Sequence, residues 1–222
     1  METLALGFNN TSVGKKVVMA ITGFVVFFFV TVHIIGNLQI FQGPEKLNAY
    51  AAFLQSLGPF LWAFRVVLII SAVLHIVSAT QVTLQSWKAR STGYKLRRYR
   101  ETTYAARTMR WGGPIIGMFV LYHLLHFTFG VVHPDFSDSV YHNVVAGFQV
   151  WWVSLVYMAA LVFLGLHLYH GVWSMFQSLG AAHPKWNKGL RGIAVGFALF
   201  VTGAGLCVPL AVLGGVVSLG TM

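Results

Sequence analysis

Four histidines, His33, His75, His123 and His167, lie in four different apolar segments of this chain. An ionisable, metal-ligating side chain at bilayer depth is costly, so each marks a functional site by default. One per helix is what two bis-histidine haem groups require, because facing helices of a bundle supply the axial ligands to each iron. Depth sorts them into pairs. His33 stands 17 positions beyond Lys16 and His123 13 beyond Arg110, roughly 25 and 20 Å from the inner surface at 1.5 Å per residue. His75 comes 10 positions before Gln85 and His167 13 before Gly180, roughly 15–20 Å from that surface. His33 and His123 therefore fall in the outer half and His75 and His167 in the inner half, an arrangement that would set two haems as an electron ladder across the bilayer.

Other chemistries use intramembrane histidine. A single one often packs as a hydrogen-bonded core residue, and proton relays and transition-metal transporters are built on them. Relays and transporters usually add Asp or Glu, and no apolar segment here contains either. Haem needs no carboxylate among its ligands. Spacing alone leaves one ambiguity open: His126 follows His123 by three positions and His170 follows His167 by three, and residues three apart share a helical face. Gly23, Gly165 and Gly171 could let a flat macrocycle approach the backbone, although small residues also serve plain helix packing. His133 and His142 in an outer loop and His183 in an inner loop are expected to be solvated.

The elements that must hold these histidines are transmembrane helices. The chain has 222 residues, 57% hydrophobic and only 9% charged, against about 25% charged in ordinary soluble domains. Crossing the hydrocarbon layer takes about 20 apolar residues, and five segments supply them: 17–40, 60–84, 112–132, 148–177 and 191–216. The expected fold is thus all-α, one membrane domain over 1–222 with five transmembrane helices, the first four forming the dihaem bundle. Strand alternation is absent, and a barrel with it. Arg65 near the start of the second segment can snorkel to the interface. Trp62, Trp111, Trp151, Trp152 and Trp186 lie near segment ends, where interfacial aromatics belong. The stretch after Lys15 and Lys16 is too long for a signal-peptide core and is expected to be retained as the first helix.

The net charge of +10 is a topology signal and not a nucleic-acid signal, because Lys and Arg concentrate in short loops between apolar runs. The 85–111 loop alone holds eight: Lys88, Arg90, Lys95, Arg97, Arg98, Arg100, Arg107 and Arg110. Lys185, Lys188 and Arg191 fill 178–191, while 133–147 carries Asp135 and Asp138 with no cation. The N-terminus is expected inside and, after five crossings, the C-terminus outside. Residues 44–58 open on Pro44 and place Leu47, Tyr50, Ala51 and Leu54 on one face, as an interfacial helix would. Cys207, the one cysteine, excludes an intrachain disulfide, iron–sulfur ligation and structural zinc, and is expected to be buried packing.

Several short motifs then carry a resemblance over nearly the whole length. They are Ser12-Val-Gly-Lys-Lys16 leading to Met19-Ala-Ile-Thr-Gly23, His33-Ile-Ile-Gly-Asn37, Asn48-Ala-Tyr-Ala-Ala-Phe53, Leu74-His75, Tyr122-His123-Leu124 and His167-Leu-Tyr-His-Gly-Val-Trp-Ser174, before a histidine-free fifth helix. In this order the chain resembles the single-chain, five-helix, dihaem cytochrome b anchor of succinate:quinone oxidoreductases (succinate dehydrogenase and fumarate reductase). The HLYHGVWS segment and the SVGKK…MAITG start match that family better than the dihaem anchors of hydrogenases or formate dehydrogenases. A haem-free transporter is the reading from a different class.

The resemblance implies two haem b groups, with His33 and His123 ligating the distal, outer iron and His75 and His167 the proximal, inner one. It prefers His167 to His170, and leaves His126 and His170 as extra histidines for a propionate or a quinone pocket. It implies two soluble partners in the tricarboxylic acid cycle: a flavoprotein with covalent FAD, where succinate and fumarate interconvert, and an iron–sulfur subunit docked on the basic inner loops. This chain would then carry electrons from the iron–sulfur subunit to quinone, menaquinone or ubiquinone, without housing the succinate chemistry. The setting implied is the inner, cytoplasmic membrane of a bacterial-type cell. Haem propionates would call on Lys15, Lys16, Arg110 or Lys185. An outer quinone site would draw on Asn37, Glu45, Asn48, Tyr50 or Gln55, with Glu45 the acid of its loop, although an acid also suits the first turn of a helix.

Overall fold

Thr11 starts the first helix: its hydroxyl accepts the Gly14 N–H at 2.9 Å, satisfying one of the donors that a helix start leaves orphaned. Helix α1 runs Ser12–Asn37 and tightens into a 3-10 turn, Leu38–Gln42. Gly43, at φ +96°, turns the chain, and Pro44 opens α2, Pro44–Ser56. Gly58 (φ +51°) and Pro59 repeat that punctuation before α3, Pro59–Lys88. Helix α4, Tyr104–His123, is capped by Thr103 and passes into one π-helical turn, Leu124–Thr128. Then come α5, Val140–Gln149, α6, Trp151–Ser178, and α7, Asn187–Leu213. These elements belong to a computed structural model that describes residues 11–89, 92 and 102–220, among which there is no strand.

Among the described residues four helices are long and apolar enough to cross a membrane: Ser12–Gln42, Pro59–Lys88, Trp151–Ser178 and Asn187–Leu213. The protein is membrane-embedded. The pattern inside α3 makes the point, because Phe60, Phe64, Ile69 and Val73 face outward while Ser71 and Ser78 are buried. Apolar outside and small-polar inside is the order that lipid selects. The expected third span, 112–132, corresponds to α4 with its π turn and does not join this set. Its helix begins at Tyr104, so its first turns take in Arg107 and Arg110, and its α-helical stretch stops at His123.

Helix α1 packs on α3 and α6, α4 packs on α6, and α6 packs on α7. Lys88, Arg110, Lys185 and Arg191 mark one end of this bundle, where the Arg110 guanidinium lies over Trp87 and that of Arg191 over Trp173. Asp135 and Asp138 mark the opposite end. That end carries α2, as the sequence suggests, and α5, which it does not: 133–147 reads as loop, yet Ser139 caps a helix there and its hydroxyl accepts the His142 N–H. The two short helices close over a buried cluster of Ile40, Leu47, Val145, Phe148, Val153 and Val208. Cys207 departs from expectation and is exposed on α7, since the buried stripe of that helix runs through Ala194, Ala198, Val201 and Val208.

Candidate functional site

Helices α1, α3, α4 and α6 bring the four histidines together as two pairs. His33 of α1 faces His123 of α4 with ring centroids 5.8 Å apart and ring planes at 89°. His75 of α3 faces His167 of α6 at 6.1 Å and 61°. The helices joined in this way, α1 with α4 and α3 with α6, are not the close-packed pairs of the bundle.

Two rulers place the pairs at different levels. On α1, Gly23 lies against His75, and His33 follows ten positions later. On α6, Tyr157 lies against His123, and His167 follows ten positions later. At 1.5 Å per residue both rulers give a separation of about 15 Å.

The residues present fit haem. Imidazoles that bind one metal from opposite sides, with bonds of about 2 Å each, set their ring centres about 6 Å apart, close to both observed separations. Ligating histidines also tie down their second ring nitrogen. Nδ1 of His75 donates to the Met19 carbonyl at 2.9 Å, so its Nε2 carries a lone pair. Gly23 makes room for that ring: a Cβ there would meet His75 Cε1 at 2.9 Å. His33 is exposed and the other three rings are half-buried, whereas Nδ1 of His167 is buried with no hydrogen-bond partner. Among the described residues no three His, Cys, Asp or Glu side chains converge, so these histidines form pairs and not one cluster.

The π turn separates His123 from His126. His126 is 0% exposed and stacks on Tyr122 at 5.5 Å and on His133 at 4.7 Å. Its Nδ1 sits 3.0 Å from the Tyr157 hydroxyl, and its Nε2 is buried without a partner. His133 is held rather than solvated, with Nε2 donating to the Asn143 carbonyl at 2.8 Å and Nδ1 accepting the Asp135 N–H at 3.1 Å. His142 pairs with Asp135 at 2.9 Å, and His183 stays in its exposed loop.

His170 lines a cavity of about 220 Å³ with Thr102, Thr103, Tyr169, Trp173 and Arg191 at the basic end. Of the cations expected near propionates, Lys15 and Lys16 lie near the start of α1, Arg110 covers Trp87 and Lys185 covers Trp186; Arg191 lines the cavity with His170. Gly165 faces Thr202 and serves α6–α7 packing, while Gly171 is open on its Cβ side.

The outer-site residues divide. The Asn48 side chain accepts the Tyr141 N–H at 3.0 Å and donates to the Ser139 hydroxyl at 3.0 Å, which ties α2 to the start of α5. Tyr50 packs its ring over Gly36. Asn37 donates back to the His33 carbonyl, and Glu45 is exposed in the first turn of α2. Arg90, Lys95, Arg97, Arg98 and Arg100 of the expected docking loop lie outside the described residues.

The sequence gives no role to Tyr157, although a tyrosine ten positions before His167 in an apolar helix falls at the depth of the outer pair. No protein-family model, curated protein or solved structure matches this chain.

Proposed function

We propose that this chain is a dihaem cytochrome b, the membrane anchor and electron-transfer subunit of a succinate:quinone oxidoreductase. The observation that carries the dihaem reading is the pair of facing histidine couples, His33–His123 and His75–His167, at 5.8 and 6.1 Å on helices that do not close on each other. The succinate assignment rests on the motif resemblance, with HLYHGVWS its most specific part.

His33 and His123 would hold the outer haem b and His75 and His167 the inner one. Bound there, haem supplies reversible one-electron chemistry at iron, tuned by axial ligands and burial. The chain's own residues do the remainder. The Met19 carbonyl fixes the His75 tautomer, Gly23 admits its ring, and the α2–α5 cap closes apolar side chains over the outer end. Arg191 and His170 offer donors to a propionate at the basic end. Glu45, exposed in the first turn of α2, would pass a proton from the aqueous phase to a quinone reduced at the outer end.

The basic end faces the cytoplasm in this reading and receives the iron–sulfur subunit, which in turn carries the flavoprotein with FAD; α4 with its π turn is the remaining crossing. Quinone, menaquinone or ubiquinone, is the electron acceptor. Isolation of the tagged chain from its native membrane in mild detergent tests this. The expected preparation contains protein-bound flavin and reduces quinone with succinate. Co-isolation of hydrogenase or formate dehydrogenase activity would instead give the anchor to another respiratory complex, and a preparation with no redox partner would overturn the anchor role.

A further inference from the structure

The Tyr157 hydroxyl stands between two histidines of α4 and its π turn. It lies 3.0 Å from His126 Nδ1 and 3.4 Å from His123 Nδ1. A phenol has one proton to give and lone pairs to accept with, so it can donate to one ring and must accept from the other. Only one direction leaves His123 able to ligate. Tyr157 donates to His126 Nδ1 and accepts from His123 Nδ1–H, which leaves the lone pair of His123 Nε2 free to ligate. The reverse direction would put a proton on His123 Nε2. His126 is built as the fixed end of this chain: fully buried, clamped between Tyr122 and His133, with Gly147 closing on its Cε1. Phe119 and Phe148 each meet the Tyr157 ring edge-on at 4.9 Å, so the phenol cannot swing to another partner.

We infer that Tyr157 is a positioning residue for the outer haem: through its hydroxyl it selects His123 over His126 as the ligand and sets that iron's potential. The inference rests on the dihaem reading above. A ligand imidazole that donates its second N–H becomes a stronger base toward the metal, which favours the ferric state. The inner pair has its own acceptor, the Met19 carbonyl, and does not touch Tyr157, so it serves as the internal reference.

The test is Tyr157→Phe in the intact complex, followed by a redox titration of the haem absorption bands and low-temperature electron paramagnetic resonance. The wild-type complex must first show two haems per chain; a haem-free wild type would sink the dihaem reading itself, a result distinct from those below. The substitution keeps the ring and its aromatic contacts. The expected result is an upward shift of the outer haem's midpoint, about 59 mV for each tenfold loss of ferric preference in a one-electron couple, and an altered low-spin signal from that haem alone. Unchanged potentials and signals for both haems would overturn the proposal, because the hydroxyl would then only fill space. Equal shifts in both haems, or a Phe variant that no longer assembles, would assign the hydroxyl to the fold and overturn it equally.

Discussion

At the scale of single residues, the two histidine pairs stand out because the groups around each ring differ in kind. His75 is held by a backbone carbonyl and a glycine, and Gly23→Ala addresses both. The new Cβ would sit 2.9 Å from His75 Cε1 and 3.0 Å from Nδ1, pushing the ring off the Met19 carbonyl. Loss of such a support costs about 10–100-fold in metal affinity. The expected outcome is a purified chain that keeps the outer haem and loses most of the inner one; full retention of both would show that the ring does not need its present place. At the other pair, His123→Ala is expected to abolish the outer haem, and His126→Ala to leave it bound, read from the haem spectrum of each variant. The sequence distinguished these histidines only by depth and by resemblance. Depth sorted His33 and His123 toward the outer half and His75 and His167 toward the inner half. It left His123 and His126 undivided, because their separation depends on a π turn and on Tyr157, a partner contributed by a different helix. Hydrogen bonds between segments leave no trace in local spacing.

At the scale of elements, the apolar runs were readable: Pro44 opens α2 where the sequence puts it, and α3 and α6 begin and end within four residues of the expected 60–84 and 148–177, whereas α1 starts five residues earlier than expected. The cap helix α5 was not. Its buried positions, Tyr141, Asn143, Val145 and Phe148, sit in a segment whose acids and serines read as loop, and it is held by packing on α2, α6 and α7, with one polar tie to α2. Asn48 makes that tie. Replacing it with alanine strips the Tyr141 N–H and the Ser139 hydroxyl of their partner, which costs about 1–3 kcal/mol. Thermal unfolding in detergent should fall by about 2–4 °C per kcal/mol, with haem content unaltered. An unaltered melting temperature would mean that α2 and α5 are held together by their apolar faces alone. The expected third span illustrates the converse problem: α4 was expected as an ordinary span, yet its helix takes in Arg107 and Arg110 at its start and passes into a π turn after His123, which shortens its apolar length.

At the scale of the whole molecule, charge asymmetry and the helix ends agree. Lys88, Arg110, Lys185 and Arg191 gather at one end, Asp135 and Asp138 at the other, and the positive-inside bias would set the first group in the cytoplasm. Cysteine labelling checks this in a Cys207→Ser background: Ser137→Cys should react with a membrane-impermeant maleimide from outside intact cells, and Lys188→Cys only after lysis. The reverse pattern would invert the topology and put the proposed docking surface on the wrong side. The most direct test of the proposed dihaem centre is a pyridine haemochrome assay with protein quantitation on the detergent-purified complex. Two haems b per chain are expected, falling to one in His75→Ala or His167→Ala and to one, with the other spectrum retained, in His33→Ala or His123→Ala. An intact complex with no haem, or one whose haem content ignores all four substitutions, would contradict the assignment of these histidines as ligands.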